Sequence, residues 1–420
     1  MSPVAVADAL RSLGPHVPHL SVFDIDPDAT SGYTVVTWSP HAPIRGPKWS
    51  DDARTALERL PEGGLLVGYL GYEAGRWCER MPHPDQPRPL PDVHLRPTDG
   101  HLRYHTATGR WTTHGTPAFQ AQARTLLAAA QMGPLPSPLQ SPEPLSGPRQ
   151  AYRAAVHHAL SQIHDGEVYQ VNLAWEARTH PLPHPLSAWL ALRHHNPARR
   201  GAFIQVDHHH AVLSNSPELF LHVFHSEGGL AVRSIPIKGT VRASEGPAGR
   251  DHLEASEKER AELTMIVDLV RNDLGRVAPW GGVRAGPRVL HTCGDLVHAE
   301  QEVVATLRTG LDAIDAVQAA FPPGSVTGAP KVRAMSLIHA LEAHPRGVYT
   351  GAIGFFAPDG TAHLNVAIRT ITCTPHHTGF HIGAGIVADS DPDAEWEETR
   401  AKGGRIHAVL ATATRREPTP

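Results

Sequence analysis

Two pairs of glutamates carry the first chemical suggestion in this sequence. Glu259 and Glu262 lie three apart in SEKERAELTMIVDLVRNDLGRV, and Glu395 and Glu398 lie three apart in PDAEWEETRAKGGRIHAVLAT. Both stretches have helical spacing, so each pair shares one face of its helix. Lys402 follows one turn after Glu398. Four carboxylates brought together repel one another unless a cation stands between them. Mg2+ suits such a set, because it takes few carboxylates and keeps water and substrate oxygens as its other ligands. Two solvated helix faces with i,i+4 ion pairs would produce the same spacing, and spacing alone leaves both readings open.

Three further stretches hold groups that need an explanation. In VRSIPIKGTVRAS, Val232, Ile235 and Ile237 read as a half-buried strand, with Lys238 at its end directly before Gly239. A lysine is costly to bury, so Lys238 is either a solvated strand end or an amine kept inside a site. PPGSVTGAPKVRAM is a glycine-containing turn leading into a helix, whose NH groups suit an anion. It lacks the Walker A pattern, so no nucleotide is inferred. HIGAGIVADS offers a glycine-lined backbone that could approach a carboxylate closely. Arg369 in VAIRT sits in an otherwise apolar stretch read as a strand, where a guanidinium needs an anionic partner. Each feature alone is equally a turn or a structural ion pair. Together they describe a cavity for a small polycarboxylate over a metal.

The elements that must position these groups come in blocks. Strand-like GLLVGYLGYEAGRWCE and a helix in AFQAQARTLLAAAQM belong to a weakly patterned region, residues 1–132. The Pro/Ser-rich segment 133–149 reads as a linker, and residues 150–412 form the sharply patterned remainder. There, RQAYRAAVHHALSQIHDGE is a helix ending at Gly166, VYQVNLAWEAR a strand, and HAVLSNSPELFLHVF two strands broken at Ser216-Pro217. The long helix carrying Glu259 closes at Gly275. GAIGFFA and HLNVAIRTITC pair as a hairpin, and GFHIGAGIVADS is a strand ending in a loop. Blocks rather than regular βαβ alternation predict an α+β fold with antiparallel sheet.

Composition bounds the function. The chain has 420 residues, 40% hydrophobic and 19% charged, with formal net charge −4, so a nucleic-acid footprint is not expected. The N-terminus lacks the basic-then-apolar pattern of a signal peptide, and no apolar run is long enough for a membrane span. A cytoplasmic location is the expectation. Cys78, Cys293 and Cys373 lie far apart without zinc spacing, which suggests a reducing compartment. The DHHHA run at 207–211 reads as a polar hairpin tip rather than a metal site, because adjacent strand residues point to opposite faces.

YQVNL, SNSPELF, PIKGT, ELTMIVDLVRNDLGRV, FPPGSVTGAPKVRAM, GAIGF, IRT and GAGIVADSDPDAEWEETRAK stand in the order found in the chorismate-utilising enzymes. The chain resembles that family's chorismate-binding subunits of aminodeoxychorismate synthase and anthranilate synthase. The likeness is dense from about residue 150 to 410 and looser earlier, through GYLGYEAGR. It implies large antiparallel sheets packed face to face with helices outside, chorismate as substrate, and a Mg2+ requirement. By position, it implies Glu262 and Glu398 as primary magnesium ligands, with Glu259 and Glu395 beside them. Thr327, Arg369 and the backbone of Gly383, Ala384 and Gly385 would bind the substrate carboxylates. Tyr349 and Lys402 would line the pocket. Glu218 would be the general acid on the leaving ring hydroxyl. His298 would lie near the ring carboxylate, although LVHAEQEV departs from the family's usual pattern around that histidine.

Two positions discriminate among members. Those that add water carry lysine where this chain has Gln170, which would bind substrate there, and glutamine cannot act as a base. Anthranilate synthases resemble PIAGT where this chain reads PIKGT. The resemblance therefore implies that Lys238 is a nucleophile of the aminodeoxychorismate synthase type, a desolvated amine. It would attack ring C2; ammonia would then enter at C4 and expel the lysine. None of the three cysteines has the glycine-flanked elbow of a glutaminase, so ammonia is expected from a separate glutamine amidotransferase subunit or from solution. No pyridoxal-phosphate lyase domain is expected either. An anthranilate synthase with an unusual lysine and a non-catalytic chorismate-binding paralogue are the alternatives.

Overall fold

The computed structural model describes residues 5–26, 31–79, 88–131, 133, 145–293 and 296–414. Most of the expected linker, 134–144, lies outside them. Strand residues with apolar side chains on both faces bury both faces, and this chain has many such runs. Ser21–Ile25, Leu66–Leu70, Ala211–Ser216, Ala352–Phe356 and Ala362–Val366 are buried at every residue. They lie in two antiparallel sheets. The ten-stranded sheet runs, in spatial order, Gly328–Ala329, Gln170–Thr179, Thr378–Ile386, Thr370–Cys373, Ala211–Ser216, Arg200–Gln205, Ser21–Ile25, Tyr33–Thr37, Gly100–His105, Arg110–Gly115. The second, nine-stranded, runs Ile237–Arg242, Leu296–Thr306, Gly229–Ile235, Leu219–Ser226, Ala362–Val366, Ala352–Phe356, Leu66–Leu70, Val93–Pro97; Val283–Cys293 also pairs with Leu296–Thr306.

The period of two sorts each strand's side chains between layers. Phe23, Ala202, Ile204 and Val212 from the first sheet meet Val67, Tyr69, Ile353 and Phe355 from the second in one cluster between the sheets. The alternate residues Val22, Phe203 and Leu213 pack outward under helices that supply Tyr152, Trp189, Met335 and Trp396. On the other side, Leu66, Leu70, Ala352 and Phe356 pack under helices carrying Trp49, Leu263, Ile266 and Val317. The fold is α+β, with two antiparallel sheets face to face and helices outside. Each fully buried Leu or Phe of these layers contributes about 2 kcal/mol.

Residues 1–132 and 150–412 share both sheets. Ser21–Ile25 pairs with Arg200–Gln205, and Leu66–Leu70 pairs with Ala352–Phe356. The long helix runs Glu257–Gly275, capped by Ser256, whose hydroxyl accepts from Glu259 N. The last helix runs Pro392–Thr414. The histidine run forms a hairpin tip in which Asp207 Oδ1 accepts from His209 N and His210 N at 2.8 and 2.9 Å. Among the described residues no helix is long and apolar enough to cross a membrane.

Candidate active site

Two neighbouring strands leave one sheet for the other side by side. Ala211–Ser216 continues into Leu219–Ser226 of the second sheet, while Ala362–Val366 continues into Thr370–Cys373 of the first. They are paired on both sides of the crossing. Backbone bonds lock the crossing: Val366 N donates to Glu218 O and Asn215 N to Arg369 O, each at 3.0 Å. Ser216 Oγ donates to Val366 O at 2.6 Å. Glu218 and Arg369 sit in the two crossing segments. The expectation that HLNVAIRTITC is one strand is corrected here. The strand ends at Val366, and Arg369 has φ 51°, a left-handed conformation that costs a non-glycine residue energy and marks functional segments.

Lys238 is also placed differently from the expectation. Pro236 divides the apolar run into Gly229–Ile235 and Ile237–Arg242, so Lys238 is the second residue of a new strand rather than the end of the first. The pairing shifts between Lys238, opposite Ala299, and Thr240, opposite His298. Gly239 makes this bulge with φ +69°, and a Cβ there would stand 2.6 Å from Leu253 Cδ1 and 3.0 Å from Glu259 Oε2. A bulge re-aims side chains. Here it turns Lys238 inward, leaving it 15% exposed with Nζ 3.8 Å from Glu262 Oε2.

These groups meet in one cavity of about 510 Å³. It is lined by Glu218, Lys238, Glu259, Glu262, His298, Tyr349, Arg369, Gly383, Gly385, Glu395, Glu398 and Lys402, together with Asn172, Lys258, Ser325 and His381. Burial pushes the Glu218 carboxyl up to about 7, against a hydrogen bond from Ser325 and the charges of Lys238 and Arg200. Burial also lowers the Lys238 ammonium; Lys402 adds to this, while Glu262, Glu218 and Glu259 oppose it. His298 is pulled down to about 4 by burial and by Arg369. Its Nδ1 lies 2.7 Å from Thr240 Oγ1, and a backbone hydrogen bond to Gly239 partly opposes the lowering. The cavity thus holds a carboxyl that keeps part of its proton near neutrality and an amine whose ammonium form burial disfavours, an arrangement suited to general-acid and nucleophilic work.

The four glutamates occupy two walls. Burial raises Glu259, and the neighbouring charges of Glu262 and Glu398 raise it further. Glu395 is raised by burial and by Glu398, against a hydrogen bond from Ser390. Burial would raise Glu398 too, but Lys402, 2.6 Å away, outweighs it. Lys258 Nζ lies 4.0 Å from Glu262. Among the described residues no group of three His, Cys, Asp or Glu converges closely enough to hold an ion; the ammonium groups of the lysines stand against the carboxylates instead. The donor chemistry, oxygen ligands that repel one another across a cavity, fits a hard divalent cation.

Three expected residues stand apart from the cavity surface. Thr327 is fully buried, and its hydroxyl is directed at Pro323 O and Gly324 O at 3.1 and 3.2 Å. Of that turn, Ser325 and Val326 reach the cavity, whereas the following helix, Lys331–Leu341, does not line it. Ala384 points into the core under the outer helices, because Gly383 and Gly385 take the cavity-facing places of the alternation. Gln170 is fully buried just behind: a Cβ on Gly385 would lie 2.9 Å from Gln170 Nε2 and 3.3 Å from Lys238 Nζ. Sequence reasoning missed Asn172, Lys258, Ser325 and His381. Two of them carry a readable signal. His381 shares the strand face of Gly383 and Gly385, and Lys258 precedes Glu262 by one turn.

A model of chorismate binding enzymes matches residues 28–407. The chain belongs to the chorismate binding enzyme family. As a chorismate-utilising enzyme it has relatives of more than one kind. It is 38% identical over 392 residues to anthranilate synthase component 1 1 of Halobacterium salinarum, covering 86% of this chain and 72% of that protein. It is 36% identical to aminodeoxychorismate synthase component 1 of Klebsiella aerogenes, covering 83% and 77%. Its fold matches the crystal structure of anthranilate synthase component I from Streptococcus pneumoniae with TM-score 0.75, at 24% identity, over 91% of this chain and 92% of that one.

Proposed function

We propose that this chorismate-utilising enzyme aminates chorismate at C4 and forms 4-amino-4-deoxychorismate, the precursor of 4-aminobenzoate in folate synthesis. The observation that carries this reading is Lys238, an amine turned into the cavity by a bulge and desolvated, in the same cavity as Glu218, whose carboxyl burial pushes up to about 7. Lys238 Nζ attacks ring C2. The two ring double bonds shift toward C4, and the C4 hydroxyl leaves as water with the proton of Glu218. Ammonia then bonds to C4, the double bonds shift back, and the C2–N bond breaks to release Lys238. Arg369 is the cation for the ring carboxylate, with His298 lining the same cavity. Glu262 and Glu398, with Glu259 and Glu395 beside them, are the residues to hold Mg2+, which would neutralise a substrate carboxylate and fix its orientation.

Burial pushes the Cys78 and Cys373 thiols up to about 12, which makes them poor nucleophiles. We assign the ammonia to a partner glutamine amidotransferase, or to ammonium in solution. A second reading, anthranilate formation, draws on the name of the Halobacterium salinarum relative. Product identity separates the two. With chorismate, ammonium and Mg2+, liquid chromatography with mass detection should find a product that keeps the enolpyruvyl group, and a chelator should abolish it. Fluorescent anthranilate as the main product would sink the proposal, and product formation undiminished by chelation would remove magnesium from it.

A further inference from the structure

A buried charge cluster stands directly behind the cavity wall. The Arg346 guanidinium is 1% exposed. Its Nη1 donates to Val326 O at 2.9 Å and to Thr350 Oγ1 at 3.1 Å. Its Nη2 donates to Asn172 O and to Glu342 Oε1, both at 2.6 Å, and Nε donates to Glu342 Oε2 at 2.9 Å. One planar group thus ties together three pieces of chain that each supply the cavity: the strand of Asn172, the turn of Val326 and the segment of Tyr349. The guanidinium carbon lies 4.8 Å from the Tyr72 ring and 5.7 Å from the Tyr349 ring. The segment is held in turn from residues 1–132. Glu73, 3% exposed, accepts from Arg346 N at 2.8 Å and Gly347 N at 3.0 Å. Tyr72 N donates to Gly347 O at 2.7 Å.

A buried ion pair is an expensive way to fill space, and apolar side chains would stabilise the fold at least as well. What the pair adds is fixed geometry at the wall it supports. That wall presents Tyr349, whose Oη would lie 2.7 Å from a Cβ at Gly383, and Asn172, which lines the same cavity and hydrogen-bonds the Tyr349 side chain. We propose that Glu73 and Arg346 are positioning residues that set Tyr349 and Asn172 against the substrate, so that the region 1–132 is a working part of the chorismate site.

The inference rests on the family's substrate filling this cavity and on no particular product. Its test is a double-mutant cycle on chorismate affinity in the presence of Mg2+, using Glu73→Ala, Tyr349→Phe and the double variant, with thermal melts on each. Glu73→Ala and Tyr349→Phe should each weaken binding by about tenfold. The double variant should be little worse than the weaker-binding single one, because Glu73 acts through Tyr349. Glu73→Gln, which keeps an acceptor for one of the two NH groups, should recover part of the loss, and it replaces Glu73→Ala in the cycle if that variant fails to fold. Arg346→Lys should weaken binding, since an ammonium cannot serve the same carbonyls in one plane. Effects that simply multiply in the double variant would overturn the coupling. An unchanged affinity in Tyr349→Phe would overturn both the coupling and Tyr349 as a substrate contact.

Discussion

Burial raises the Glu218 carboxyl and lowers the Lys238 ammonium, which favours the neutral form of each, the form that a general acid and a nucleophilic amine need. Removing the amine should separate its two possible meanings. Lys238→Ala should lose most amination at C4, and Lys238→Arg should not restore it, because a guanidinium stays protonated; product quantification checks both. Full activity of Lys238→Ala with the same product would return Lys238 to a structural role. For Glu218, burial raises the carboxyl from 4.5 to about 7. At constant free ammonia, the rate should fall as pH rises through about 7, because the acid loses its proton. The same shift has a stability consequence. The folded state binds a proton that the unfolded state releases at lower pH, so this contribution is present below 4.5 and lost as pH rises through 7. Glu218→Gln should therefore gain in melting temperature relative to the parent chain between those pH values and hold that gain above them, while turnover falls by about 100-fold or more. At this scale the glutamate pairs, Lys238 and Arg369 were legible, because their types and spacing are local. Glu73, Arg346 and Asn172 were not: each sits in a stretch that reads as a turn or a strand, and its partners lie far away in the chain.

The strand Thr378–Ile386 shows how one element serves core and cavity at once. Phe380, Ile382, Ala384 and Ile386 face the core, and His381, Gly383 and Gly385 face the other way. A Cβ on Gly383 would stand 2.7 Å from Tyr349 Oη and 2.8 Å from Leu173 O. Because one of those atoms is backbone, Gly383→Ala should cost about 1–3 kcal/mol of stability through overpacking and weaken chorismate binding, read by thermal melting and by titration. An unchanged melt and affinity would mean that the glycine is not set by this contact. The long helix Glu257–Gly275 was legible from its spacing and from Gly275 at its end. The hairpin of Ala352–Phe356 with Ala362–Val366 was legible as two short strand-like runs close in the chain. The passage of Val366–Thr370 between sheets was not, since the residues remain strand-formers on both sides and only tertiary packing decides where the chain changes layers.

Across the whole molecule, the weakly patterned first 130 residues turn out to supply strands to both sheets. The period of Ser21–Ile25, Tyr33–Thr37, Leu66–Leu70 and Val93–Pro97 is hard to read because both faces are buried, which erases the alternation that marks a half-exposed strand. A chain beginning at Leu145 would leave the edge of Ala352–Phe356 unpaired and strip Phe23, Val67 and Tyr69 from between the sheets. It should aggregate rather than fold, and a monodisperse truncated chain with native circular dichroism would contradict that interdependence. The covalent role of Lys238 is likewise read on the intact molecule. The full chain is mixed with chorismate and Mg2+ without ammonia, trapped with acid, weighed by mass spectrometry and then digested. A gain equal to chorismate less one water, mapped to the peptide holding Lys238 and absent from Lys238→Ala, is the predicted result. A chain that gains no mass under these conditions, yet forms 4-amino-4-deoxychorismate as soon as ammonium is added, would contradict it.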